Sequence, residues 1–140
     1  MIIYSGNKRD FMDEVLNDTI AYSIRDSIFE KMHRRTGVAE FKSWTNSLEY
    51  MYKVLNDQDI PSNAGVAIEY NLPNTAKRVD FLVSGYDGKK KPNVVIIELK
   101  QWEEIKKVDS LDGLVETYTG GANRRVVHPS YQAWTYAEMI

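Results

Sequence analysis

The apolar residues of this chain change their spacing once, near Pro61, and that change limits the fold to helices packed on a sheet. From Lys8 to Arg35, Phe11, Val15, Ile20, Ile24, Ile28 and Met32 recur every three to five residues, and Gly37 supplies a stop. This predicts one or two amphipathic helices. Phe41, Trp44, Leu48, Met51 and Leu55 repeat the pattern in steps of three and four up to Asn56 and Asp57, which predicts a further helix. After Pro61 the texture becomes VAIEY, RVDFLVSGY and NVVIIELKQW, separated by the turn chemistry of NLPNTA and DGKKKP. Three antiparallel strands in a meander are expected. The third is apolar on both faces over Val94 to Ile97, which predicts a central strand covered by helices on at least one side.

Beyond Trp102 the pattern weakens. EEIKKVDSLDG reads as turn or coil, and LVETYT with RRVVHP as a small hairpin across Gly120 and Gly121. Ser130, directly after Pro129, is the expected N-cap of a closing helix, YQAWTYAEMI. That helix breaks off on Met139 and Ile140, so the chain is expected to be one domain, residues 1–140, from the N-terminal part of a longer protein. Trp44, Trp102 and Trp134 are expected in the core.

Composition narrows the chemistry. With 43% apolar and 27% charged residues the chain can bury a core, and no apolar run approaches the roughly 18 residues needed to cross a bilayer. The N-terminus lacks the features of a signal peptide, so a cytoplasmic protein is expected. There is no cysteine, and His33 and His128 are far apart in sequence, so a metal would have to sit mainly on carboxylates. The formal net charge of −2 gives no general attraction for a polyanion; any such binding must be local.

The residues that carry chemistry are Asp80, Glu98 and Lys100. Side chains alternate along a strand, so Glu98 and Lys100 share a face. Pairing Asp80 opposite Glu98 centres the hairpin on Lys89, inside DGKKKP, without forcing the register. Two carboxylates about 5 Å apart repel by roughly 3 kcal/mol at an effective dielectric near 20, so they call for a cation. Lys100 supplies one, and a hard divalent ion with oxygen ligands would supply the rest. Such a group suits phosphodiester hydrolysis: the ion polarises a phosphate oxygen and acidifies a bound water, and the amine orients that water. The plain alternative is a cross-strand ion pair at the end of a sheet, worth under about 1 kcal/mol when exposed.

The spacing D, seventeen residues, ExK, on two strands after helical segments, resembles the PD-(D/E)XK nuclease family, with RVD standing where that family has PD. Gln132 and Tyr136, four residues apart on one face of the closing helix, form QxxxY and resemble the RecB-like branch. SWTNSLEYMYKVLND, VAIEY, RVDF, ELKQW and HPSYQAW together resemble the N-terminal region of bacterial proteins that carry a Schlafen-type helicase module. The resemblance implies an α/β, restriction-endonuclease-like core, with N-terminal helices packed on a central mixed or antiparallel sheet and a closing C-terminal helix. It implies Mg2+ or Mn2+ held by Asp80, Glu98 and the Leu99 carbonyl, with Lys100, Gln132 and Tyr136 completing the active site for cleavage of DNA, and of RNA as a further substrate. An attached helicase module is the implied partner, although no GxxxxGK[ST] occurs here and TGGAN lacks the phosphate-reaching lysine.

Glu49 and Glu69 are auxiliary acids under this reading, and Lys89, Lys90, Lys91, Arg124, Arg125 and His128 are candidate nucleic-acid contacts. Each has a plainer role. Glu49 would pair with Lys53 on the helix surface, Glu69 with Arg78 across a turn, the basic runs would be solvated turns, and His128 would anchor a loop. Gln101 is expected on the face opposite Lys100 unless the strand has ended. A noncatalytic nucleic-acid-binding or regulatory module, and a pure protein-interaction domain, are the alternatives to an enzyme.

Overall fold

The computed structural model describes residues 1–140. The change of texture at Pro61 separates three helices, α1 (Lys8–Leu16), α2 (Ile20–Met32) and α3 (Val38–Leu55), from the strands β2 (Gly65–Asn71), β3 (Arg78–Tyr86) and β4 (Pro92–Ile97). The first helical stretch is two helices. Its break falls at Asn17 to Thr19, where Asp18 takes a left-handed backbone (φ 55°) that no helix can carry through. A strand not anticipated from the sequence, β1 (Ile2–Asn7), precedes α1, and Asn7 ends it by capping the helix: its side chain accepts from the Asp10 N–H at 2.9 Å.

The main sheet is antiparallel throughout, in the order β1-β2-β3-β4. The three helices lie on one face, where Phe11, Ile24, Ile28, Leu48 and Leu55 meet Ile3, Val66, Ile68 and Phe81. Phe11 and Phe81 are fully buried, with ring centroids 5.3 Å apart at 78°. The closing helix α4 (Pro129–Ala137) covers part of the other face, burying Tyr136 against Leu72, Val79 and Leu82.

β4 is therefore an edge strand, not the central one expected from its double-sided apolar run. β1 takes the far side of β2, nothing pairs outside β4, and Val94 and Val95 stay 50% and 54% exposed. Its partner register matches the expected one: Phe81 faces Ile97 and Tyr86 faces Pro92, centred on Lys89. The strand was expected to run through Trp102 but ends at Ile97, because the next backbone donor, Leu99 N–H, is taken by the Asp80 carboxylate at 3.0 Å.

A second sheet, β5 (Lys106–Lys107), β6 (Leu114–Thr119) and β7 (Ala122–Val127), fills the interval between β4 and α4. It contains the expected hairpin, turned by Gly120 and Gly121, both at positive φ. The N-cap of α4 is His128 and not Ser130: the imidazole Nδ1 accepts from the Ser130 N–H at 3.1 Å, with Pro129 in the first turn where its missing donor costs nothing. Trp44 is buried as expected and Trp102 is half-buried. Trp134, expected in the core, is 56% exposed beside Tyr131 on the outer side of α4.

Candidate active site

One step beyond the last ladder pair of β3 and β4, the register sets Asp80 opposite Glu98, and α4 brings a third wall. Glu98 Oε1 accepts from Lys100 Nζ at 2.5 Å and from Gln132 Nε2 at 2.6 Å; the same Gln132 nitrogen donates to the Tyr136 hydroxyl at 2.7 Å. Glu98, Lys100, Gln132 and Tyr136 thus form one hydrogen-bonded group, with Asp80 beside Glu98 and bonded to the Leu99 N–H. The contacts span two strands' ends and a helix 34 residues away in sequence.

Glu98 is the electrostatic centre. Its side chain is only 3% exposed, and its second oxygen, Oε2, is buried without any hydrogen-bond donor. Burial pushes its carboxyl above the ordinary range; the hydrogen bond from Lys100 pulls the other way, and the charge of Asp80 beside it pushes up again. A buried carboxylate oxygen with no donor costs free energy unless a proton or a cation comes to it.

A cation site here would draw on Asp80 and Glu98. No group of three or more His, Cys, Asp or Glu side chains converges here. Two carboxylates with several waters suit Mg2+, which sheds its hydration shell reluctantly and is commonly held by one or two carboxylates. The donor set fits that ion and is too oxygen-rich for a zinc site.

The other sequence candidates divide. Glu69 is buried within Coulomb range of Asp80; its Oε1 accepts from the Trp44 indole N–H at 2.9 Å and its Oε2 stands 2.5 Å from Arg78. Glu49 does not join. It is exposed and lines a separate cleft with Val15, Tyr22 and Phe41, because Trp44 and Ser47 take the face of α3 that looks toward the site. Lys89, Lys90 and Lys91 form the β3–β4 turn at the far end of the ladder, about 23 Å from Glu98 for the seven steps of strand back to Lys91. Arg124 and Arg125 are exposed on β7, and His128 spends Nδ1 on its cap.

Gln101 was expected opposite Lys100 unless the strand had ended. It has ended, and Gln101 Nε2 reaches the Ser43 carbonyl, Ser43 Oγ and Ser47 Oγ at 2.7 to 2.9 Å, tying the segment that carries Glu98 and Lys100 to α3. The pairing of Glu69 with Arg78 expected from the sequence is present, whereas the indole of Trp44 as a donor to Glu69 was not anticipated.

No family model matches the chain, and neither a curated protein nor a solved structure matches it.

Proposed function

We propose that this chain is a PD-(D/E)XK-type nuclease domain with a restriction-endonuclease-like core, hydrolysing phosphodiester bonds in DNA with Mg2+ or Mn2+. The observation that carries the reading is Glu98: a buried carboxylate with one oxygen lacking a donor, next to Asp80, and with a lysine and a glutamine on its other oxygen. Asp80, Glu98 and the Leu99 carbonyl would hold the metal. When bound, it supplies a polarised phosphate oxygen and a water acidified toward neutrality.

The chain's own residues do the rest. Lys100 orients the attacking water and offsets charge that builds on phosphorus. Gln132 fixes the Glu98 carboxylate and lines the entry from α4. Tyr136 acts through Gln132: its ring belongs to the core and its hydroxyl accepts from the glutamine, so it is a positioning residue. Gln101 holds the post-strand segment against α3.

Cleavage of single- and double-stranded DNA and RNA with Mg2+ or Mn2+ tests the reading, with Lys100→Ala as the paired variant. Metal-dependent cleavage by the wild type and none by the variant is expected; equal background in both removes the enzyme. A second reading, a noncatalytic nucleic-acid-binding or regulatory module attached to a helicase, draws support from the Lys100–Glu98 ion pair, which already neutralises one of the two acids without a metal.

A further inference from the structure

Arg78 opens β3 two residues before Asp80, and its surroundings are built at a visible cost. Its partner, Glu69, has a side chain only 5% exposed, and sits at φ 57° in the middle of β2, a left-handed backbone that costs a residue with a side chain on the order of 1–3 kcal/mol. The sheet is disturbed at that level. Ile68 pairs with Phe81 and Tyr70 with Val79, while the Glu69–Asp80 rung between them is skipped. On β3, Val79 packs toward α4, Phe81 toward the three helices and Leu82 toward α4 again, so regular alternation fails around Asp80. The distortion turns Glu69 to meet both the indole of Trp44 and the guanidinium of Arg78.

A pair that only stitched β2 to β3 would need none of this, since cross-strand ion pairs form readily from regular backbone. What the arrangement achieves is a guanidinium held from beneath, 39% exposed, on the strand that carries Asp80. Arg78 meets Glu69 Oε2 through Nη1 at 2.5 Å, a close ion pair, while its Nε and Nη2 groups make no hydrogen bond. The neighbouring carboxylate, Glu40, accepts both Arg34 nitrogens at 2.7 and 2.9 Å and stands 3.9 Å from Arg78. Arg78 therefore keeps its Nε and Nη2 donors for an incoming acceptor, and a phosphate with two oxygens matches that edge of the guanidinium.

We infer that Arg78 binds a phosphate of the nucleic-acid strand entering the Asp80–Glu98 cleft, and that Glu69 and Trp44 are its positioning residues. This rests on the nuclease reading and names the group that brings an anionic chain against two acids. It also moves the phosphate contact away from the basic runs that the sequence offers, Lys89 to Lys91 and Arg124 to Arg125.

The test is binding of a fluorescent 20-nucleotide single-stranded DNA, without divalent ions, across a salt series. Arg78→Gln alone leaves Glu69 buried and unpaired, so the variant used is Arg78→Gln with Glu69→Gln, checked by thermal unfolding. Expected are about tenfold weaker binding and a log–log salt slope shallower by about 0.7, the value for one phosphate on a single strand. A folded double variant with wild-type affinity and slope overturns the inference. Should the double variant fail to fold, Arg78→Lys decides: about fivefold weaker binding at an unchanged slope supports a bidentate seat, and wild-type affinity overturns it. Failure of the nuclease reading looks different: Asp80→Asn then leaves metal-dependent cleavage unchanged, whatever Arg78 does to binding.

Discussion

The two ends of the β3–β4 hairpin carry opposite charge in opposite settings. At the turn, Lys89, Lys90 and Lys91 are solvated, and Asp87 organises the loop by accepting from the Lys89 and Lys91 N–H groups at 2.8 and 2.9 Å. At the other end, Asp80 and Glu98 face each other beside α4, with the Glu98 side chain nearly sealed from water. Three like charges at an exposed turn cost little, because water screens them within a few ångströms. Two acids at a sheltered end have no such relief, and a lysine, a glutamine amide and a backbone N–H are gathered to meet them. Charge that is cheap to place says little about function; charge held against its own repulsion says more.

The largest effect that would sharpen this contrast is on cleavage. Lys100→Ala and Asp80→Asn are each expected to lower metal-dependent cleavage by about three to four orders of magnitude, as removing a general acid–base or charge-stabilising group does. Single-turnover rates on a labelled oligonucleotide measure it, and cleavage by Lys100→Ala within tenfold of wild type would break the contrast. Next comes Phe81, the last ladder residue before the acids and fully buried against Phe11. Phe81→Ala is expected to cost about 3–5 kcal/mol in urea unfolding, the range for a large cavity in a packed core.

Where the sequence could be read and where it could not follows from what sets each feature. α3 was legible because apolar residues at steps of three and four can be buried only on one helical face. The β3–β4 register was legible because a turn signal and an alternating strand leave few pairings open, and with it came the closeness of Asp80 to Glu98. β1 was not: a six-residue segment running straight into a helix has no period of its own, and its strand form depends on the free side of β2. The edge position of β4 was misread because an apolar run on both faces looks the same in a buried central strand as in an edge strand whose valines stay half exposed. The end of β4 at Ile97 and the left-handed backbone of Glu69 go with side-chain contacts across the fold, which no local pattern encodes, while the cap of α4 was misassigned because a histidine two residues before the serine takes that role locally.

A pH series probes the sheltered end directly. Burial raises Glu98 and also Glu69 from the ordinary 4.5, so the folded state holds those protons more tightly than the unfolded chain. The stability they contribute is complete below pH 4.5 and is lost as pH rises through the raised folded values. Glu40 works in the other direction: its hydrogen bonds from Arg34 lower it, and its share is lost as pH falls from 4.5 through the lowered value. Unfolding free energy in divalent-free buffer should therefore fall as pH rises above 4.5. Glu98→Gln should flatten that fall, leaving the part due to Glu69, and Mg2+ at 100 times its dissociation constant should restore about 2.7 kcal/mol to the wild type but not to the variant. A wild type indifferent to Mg2+ would break the metal assignment while leaving the pH slope standing.

The smallest effects belong to the turn. Asp87→Ala removes one acceptor from two backbone donors at an exposed site and is expected to cost about 0.5–1.5 kcal/mol. Replacing Lys89, Lys90 and Lys91 together by Ala should change stability by no more than about 0.5 kcal/mol. The same triple variant should cleave a short oligonucleotide at the wild-type rate in 0.15 M salt, because roughly 23 Å of strand separates the turn from the acids and the Debye length is about 8 Å. Only a substrate long enough to reach the turn could feel those lysines. A rate that drops on a short oligonucleotide would mean that the two ends of the hairpin act on one phosphate track, and the separation between cheap and costly charge drawn from them would not hold for function.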